Sequence, residues 1–344
     1  MSQPTREPSR SQTCCGRVLV TGGTGFVGSA VVRALLNSGY NVRVLARATS
    51  PRHHLDGLDV EIVEGDLRNR AKVARALEDC RYLVHTAADY RLWVPNPEEM
   101  ASVNVDGTRI IMEEALHFGT ERIVHTSTVA TIALDQGGRP ADESRLADPK
   151  TAIGCYKRSK IEAERLVLAM VRDRALPAVI VNPSTPMGPR DIKPTPTGQM
   201  VVAAARGRIP AFVDTGLNLA HVDDIALGHV AALRQGRIGE RYILGGENVP
   251  LKALLAEIST QMGRYAAHVR LPRGMLTPFA VVSEVMARRT GQAPLLTRES
   301  LRMAAYRMYF THARAATELD YRPRPWKRGV SDAIGWFRQA GYLS

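Results

Sequence analysis

The sequence predicts an α/β fold, a doubly wound parallel sheet with a smaller C-terminal lobe. Three observations predict it. Short apolar runs alternate with helical patterns from Arg17 to Pro183, the first run enters its helix through a glycine-rich turn, and beyond Pro183 the texture becomes Pro- and Gly-rich. Parallel neighbours need a long crossover between them, so strands that alternate with helices pair in parallel.

Residues 1–16 are polar with no apolar h-region, and are expected to form a disordered tail, not a signal peptide. RVLVT (17–21) reads as a buried strand, and GFVGSAVVRALLNSG (25–39) as a helix closing on a glycine. NVRVLA (41–46), VEIVEG (60–65) and YLVHTA (82–87) read as strands, with a helix over AKVARALED (71–79). A helix from about Pro97 to Phe118 precedes the strand RIVHTS (122–127). A long polar loop then leads to a helix from about Cys155 to Arg174 and the strand AVIVNP (178–183).

These boundaries assign residues 17–183 to the first domain and 184–344 to a substrate lobe, with a segment near 217–245 returning to the first domain. In the lobe, LTPFAVVSEVMARR (276–289) is apolar on much of its surface with a basic end. Its first reading is a core helix; a lipid-like pocket wall or a helix resting on a membrane surface are the alternatives. MVVAAARG (200–207) carries the same choice between core and greasy pocket.

A chain of 344 residues exceeds the size at which one core usually stops growing. Lys and Arg number 46 against 34 Asp and Glu, a net charge of +12 that suits phosphate-bearing ligands or anionic surfaces. The cations are scattered without interleaved aromatics, so a solvated basic surface is expected and nucleic acid is not. Cys14, Cys15, Cys80 and Cys155 lack metal-ligand spacing; no metal site is expected, and a reducing cytoplasm is the expected compartment. No run of about 18 apolar residues occurs, so no membrane span is expected.

TGGTGFVG (21–28) joins the first strand to the first helix, with Gly22, Gly25 and Gly28 evenly spaced and Phe26 and Val27 opening the helix. Glycines there permit a tight turn and let backbone approach a pyrophosphate at the helix N-terminus, the dinucleotide-binding Rossmann pattern. After the second strand, where a carboxylate would bind the ribose of NAD, stand Ala46 and Arg47, then Arg52. Guanidinium there accommodates a 2'-phosphate, which predicts NADP(H), with NAD(H) as the alternative. Asp66 and Leu67 in GDLRN are placed to bracket an adenine edge. Thr86, Ala87 and Ala88 close the fourth strand with small residues beside the cofactor, and Pro183, ending the sixth, joins the cofactor set.

Tyr156 and Lys160 in GCYKRSK share one helix face at i and i+4. A phenol near pKa 10 is a poor base at neutrality, and an ammonium beside it favours the phenolate. The same ammonium is suited to hold the nicotinamide ribose. HTSTVAT (125–131) supplies Ser127 and Thr128 as hydroxyl donors for a substrate oxygen.

With this set behind the glycine turn, the chain from Arg17 to about Tyr342 resembles the extended short-chain dehydrogenases/reductases of the NAD-dependent epimerase/dehydratase family. The resemblance implies Tyr156 as general acid/base, Lys160 as its partner, Thr128 as substrate-oxygen donor with Ser127 beside it, and Asn104 in NVDGT as an organising residue. It also implies a homodimer through the helices near 100–117 and 156–173. HTAADYRLWVPNPEEM and NVDGTRIIMEEAL further resemble the hopanoid-associated sugar epimerases, themselves similar to dihydroflavonol reductases.

Sugar-nucleotide epimerases of this superfamily carry an arginine that grips the diphosphate. In LNLAHVDD (217–224) Leu217 takes that position, and in NPSTPMGP (182–189) Thr185 replaces an asparagine. Neutral leucine cannot supply a charge-assisted phosphate contact, leaving Arg190 or Arg206 as substitutes. The reading that follows is NADP(H)-dependent oxidation or reduction of a secondary alcohol or carbonyl in a small molecule, with hopanoid-associated metabolism as the context the resemblance implies; sugar epimerisation or dehydration is the alternative.

Overall fold

The structure, a computed structural model, describes residues 15–91, 94, 96–135, 139–264, 269–290 and 297–343, with the backbone alone for 287–290. Most of the expected N-terminal tail, and Leu92, Trp93 and Pro95 of the quoted HTAADYRLWVPNPEEM stretch, lie outside these residues.

The first domain runs β1 (Arg17–Thr21), α1 (Phe26–Asn37), β2 (Asn41–Ala46), β3 (Val60–Glu64), α2 (Arg70–Leu77), β4 (Tyr82–His85), α3 (Pro97–Ala101), α4 (Gly107–His117), β5 (Arg122–Thr126), α5 (Cys155–Arg174) and β6 (Ala178–Pro183). After β6 come β7 (Thr185–Met187), α6 (Pro196–Ala205), β8 (Ala211–Phe212), β9 (Gly216–His221), α7 (Val222–Gln235), β10 (Arg241–Leu244), β11 (Glu247–Pro250) and α8 (Leu251–Gln261). The chain ends with β12 (Val269–Arg270), α9 (Arg273–Thr290), α10 (Arg298–Met303), β13 (Arg307–Met308), α11 (Ala313–Leu319) and α12 (Trp326–Gln339).

Seven parallel strands form the main sheet in the order β10-β6-β5-β4-β1-β2-β3. Chain direction across the sheet reverses between β1 and β4, which opens the crevice where ligands of such sheets bind. The strands read as continuous apolar runs because both faces are covered. Val18, Val20 and Val84 pack into one layer with α1 and α7, and Leu19, Leu83 and Ile123 into the other with α2, α4 and α5.

Two segments differ from their sequence reading. The helix expected from Pro97 to Phe118 is interrupted by a π turn over Ser102–Asp106, whose extra residue shifts Asn104 relative to the flanking turns. The return to the first domain begins at α7, which packs on α1, and continues in β10, which pairs with β6. β9 stays in the lobe because it pairs with β7, β11 and β13.

The lobe core gathers Met187, Val201, Ala205, Leu219, Leu254, Ile258, Ile334 and Phe337, so the 200–207 segment is core packing. Helix α9 does not follow the core reading. Met275, Phe279, Val282 and Val285 face outward, while Ala280 is fully buried among its described side chains. No helix among the described residues is long and apolar enough to cross a membrane.

Candidate functional site

At the switch point the glycine turn is built to exclude side chains. Gly22 has φ +71°, and a Cβ on it would stand 2.7 Å from the Ala87 backbone. A Cβ on Gly28 would stand 2.1 Å from the Gly22 carbonyl oxygen. α1 starts at Phe26 behind Gly25, which offers no side-chain cap, so the first-turn donors of Phe26, Val27 and Gly28 stay available to an anion. The amide of Thr86 donates to the Thr21 carbonyl at 3.2 Å and that of Ala87 to Thr21 Oγ1 at 3.2 Å. This stitching holds Thr86, Ala87 and Ala88 beside the turn, and the resulting cradle fits a dinucleotide pyrophosphate.

Arg47 follows β2 and is exposed; its carbonyl accepts from the Ser50 amide at 2.9 Å, while its guanidinium makes no hydrogen bond or ion pair among the described residues. Arg52 is committed instead to Glu64 of β3, because the adjacent parallel strand puts a carboxylate within its reach. Asp66 accepts from Arg68 through Nε and Nη2, each at 2.9 Å, and from its amide at 2.9 Å. The Arg68 bonds outweigh burial and hold this carboxyl at about 2. Leu67 is buried in the sheet-side core. Pro183 ends β6 opposite Leu244 and is buried.

α5 begins just after Gly154, whose φ of +88° lets the chain turn into the helix. Tyr156 therefore stands in the first turn of α5, where Thr128 is near enough to act on its phenol. Lys160, one turn on and 3% exposed, donates from Nζ to the Thr126 carbonyl at 2.9 Å. Burial pushes the phenol up to about 12, with Thr128 opposing, and lowers Lys160 to about 8, with Glu164 opposing. The expected downward pull of Lys160 on the phenol is thus outweighed by desolvation. Tyr156 is held as a proton donor.

Ser127 takes a different place from the one expected. Its hydroxyl donates to Glu164, which is fully buried and also accepts from Thr131 Oγ1 at 2.7 Å and Asn182 Nδ2 at 3.0 Å and pairs with Arg241 at 3.4 Å. It belongs to a buried network under the site. Asn104, in the π turn, accepts from the Asp89 amide at 2.7 Å and donates from Nδ2 to the Asp89 carbonyl and Ser159 Oγ, each at 2.9 Å. Ser159 in turn donates to the Tyr156 carbonyl at 2.9 Å, so Asn104 ties the β4 loop to the first turn of α5.

Several supporting residues had no sequence signal of their own. Glu164 and Ser159 lie on the buried face of α5, where a polar residue stands out only once the helix is known to face the core. His85 and His125 stack at 5.5 Å, both within electrostatic reach of Lys160. His85 bonds Thr21 Oγ1 at 2.7 Å and Thr108 Oγ1 at 3.0 Å, while His125 has no hydrogen-bond partner among the described residues. Burial, reinforced by the Lys160 charge, lowers both, His85 to about 3. Both rings are neutral, and Glu164 carries the compensating charge for Lys160.

The residues considered for a diphosphate anchor are otherwise engaged. Leu217 packs against the lobe core, and Thr185 pairs with Leu219 in the lobe sheet. Arg190 is paired with Asp223, and Arg206 donates to the Tyr342 carbonyl at 3.1 Å.

Residues 18–245 match the NAD dependent epimerase/dehydratase family. The chain is 42% identical over 328 residues to a putative dihydroflavonol 4-reductase of Synechocystis, covering 94% of this chain and 95% of that one. It is 32% identical over 327 residues to sterol demethylase protein B of Methylococcus capsulatus, covering 94% and 99%. The crystal structure of gox2253 superposes with a TM-score of 0.86 at 50% identity, covering 96% of this chain and all of that one (100%). The glycine cradle, the seven-stranded sheet and these likenesses agree, and the chain belongs to the NAD dependent epimerase/dehydratase family, as an NAD(P)-dependent enzyme of the extended short-chain dehydrogenase/reductase type.

Proposed function

We propose that this protein is an NADP(H)-dependent oxidoreductase that interconverts a secondary alcohol and a carbonyl on a hydrophobic or polyhydroxylated small molecule. The observation that carries the reading is the placement of Tyr156 in the first turn of α5, its phenol kept protonated by burial and acted on by Thr128, with the buried Lys160 one turn on. Bound nicotinamide supplies or accepts the hydride. Tyr156 gives its proton to the carbonyl oxygen in reduction and takes it back in oxidation, Thr128 holds that oxygen, and Lys160 holds the ribose and steadies the phenolate left after proton transfer. Asn104 keeps the first turn of α5 in register with the β4 loop. Arg47 receives the 2'-phosphate, with Arg52 turned to Glu64, and Gly22, Gly25 and Gly28 the pyrophosphate.

The names of the two relatives, a reductase and a sterol demethylase component, support reduction or oxidation of a ring-bearing apolar compound. A place in hopanoid-associated metabolism fits the same chemistry. Epimerisation or dehydration of a nucleotide sugar is the second reading, favoured by the family's name. It ranks lower because Leu217, Arg190 and Arg206 leave the diphosphate without an anchor at the positions considered. The protein is proposed to work in the cytoplasm, in keeping with Cys80 and Cys155, which form no disulfide among the described residues, and to dimerise through α4 and α5.

The test is Tyr156→Phe, assayed with NADPH against a panel of ketones and aldehydes. NADPH affinity stays within about twofold while turnover falls by about 10²–10⁴-fold, the usual yield of a positioned proton donor. Substantial residual turnover removes Tyr156 from the chemistry. Interconversion of sugar epimers without release of reduced cofactor gives first place to the epimerase reading.

A further inference from the structure

Helix α9 is turned inside out. Met275, Phe279, Val282 and Val285 recur at the spacing of one helical stripe and are 61, 69, 58 and 47% exposed. The side facing the protein carries Ala280 and the carboxylate of Glu284, which pairs with Arg298 of α10 at 2.9 Å. A surface helix ordinarily buries its apolar stripe, so this one is shaped for something outside the chain.

Charge decides between occupants. At the entry to α9, Arg270 and Arg307 reach the single carboxylate of Asp214 at 2.9 and 3.7 Å, which leaves one positive charge in excess. Arg273 opens the helix, exposed to solvent. Beside the paired arginines stand the exposed Val269 and Tyr306. A second copy seated here would bring two cationic rims together in a protein of net charge +12, whereas an anionic bilayer complements both the stripe and the rim. With Pro278 and Glu284 inside it, α9 is suited to lie on a bilayer and not to cross one.

The stripe is also close to the chemistry. α10 packs against α9, and a Cβ placed on Gly154, two residues before Tyr156, would stand 2.7 Å from the Glu299 carboxylate of α10. The α9–α10 pair therefore has exposed apolar groups on one side and the start of α5 on the other.

We propose that α9 docks the protein on an anionic membrane surface, its apolar stripe at the acyl boundary and Arg270, Arg273 and Arg307 among the headgroups. Resting on the oxidoreductase reading above, the substrate class is then an alcohol or carbonyl compound dissolved in the bilayer, delivered to Tyr156 past the α9–α10 pair.

The test is cosedimentation of the full chain with vesicles of phosphatidylcholine alone and of equimolar phosphatidylcholine and phosphatidylglycerol. The unaltered protein binds the mixed vesicles at least about tenfold more tightly than the neutral ones, and Phe279→Asp with Val282→Asp, or Arg273→Glu, weakens that binding at least about tenfold. NADPH affinity and turnover of a water-soluble carbonyl compound stay unchanged in these variants, which separates lost docking from lost folding. Binding that survives the two aspartates, equal binding to both vesicles, or no binding with a dimer that the aspartates break overturns the proposal. Docking as described with no turnover of any carbonyl compound supports the membrane site and removes the oxidoreductase reading alone.

Discussion

The proposed NADP(H) preference rests on one side chain. Arg52 is held by Glu64, and Asp66 and Asp89 are held by Arg68 and Arg91, so Arg47 is the cation left at the end of β2. A hydrogen bond between charged groups contributes about 1.5–3 kcal/mol, and exposure to water places Arg47 toward the lower part of that range. Its removal also leaves the carboxylates of Asp66 and Asp89, both within electrostatic reach of Arg47, to act on the 2'-phosphate. Arg47→Ala is therefore expected to weaken NADPH by about 10–100-fold and to leave NADH within about twofold. The assay is titration of each cofactor, followed by nicotinamide fluorescence, into cofactor-free protein. Equal weakening of both cofactors, or NADH binding as tightly as NADPH in the unaltered chain, refutes the reasoning.

Other consequences follow from the buried groups. Glu164→Ala leaves Arg241 without its carboxylate and the Ser127 hydroxyl without its acceptor, while Thr131 and Asn182 each lose one bond and keep another, and is expected to cost about 3–5 kcal/mol in urea unfolding; a loss under about 1 kcal/mol would show that the network relaxes freely. Gly28→Ala drives a Cβ into the Gly22 carbonyl and should abolish binding of either cofactor, so retained NADPH fluorescence would mean that the turn has room to move. The pH profile follows from the shifts at Tyr156 and Lys160. Burial lowers Lys160 to about 8, so its ammonium is present below that pH and lost above it, while the phenol stays protonated up to about 12. Reduction, which uses both charge states, is expected to be flat near neutrality and to fall as pH rises through about 8; an unchanged kcat/KM up to about pH 9 would detach Lys160 from the reaction.

The parallel sheet was legible because strands covered on both faces carry unbroken apolar runs, and because a glycine turn between strand and helix has few other uses. α5 was legible over its full length, since Gly154 opens it and its buried positions recur at helical spacing. The π turn was not, because an apolar pattern at i+3 and i+4 absorbs one extra residue without visible disturbance. Ser127 and Thr128 looked equivalent in sequence. Successive residues at a strand end point to opposite sides, and nothing local says that Glu164, far along the chain, waits on one of them. α9 shows the limit most clearly: periodicity reveals a stripe but not which way the stripe faces.

The sheet order bears on how the protein is made. β10, which seals the outer edge of β6, and Ala315, Leu319 and Tyr321, which close the layer over α1 and α7, come from the second half of the chain. From the end of β6 to Tyr321 a ribosome adds roughly 140 residues, which takes on the order of 10–30 s at typical bacterial and eukaryotic rates. The edge of β6 stays open until β10 is made, roughly 60 residues on, and the apolar layer stays partly uncovered until Tyr321, a form that invites pairing with other chains. Synthesis thus places its demand for chaperones on the first half of the protein, and a fragment ending at Pro183 inherits that exposed edge permanently.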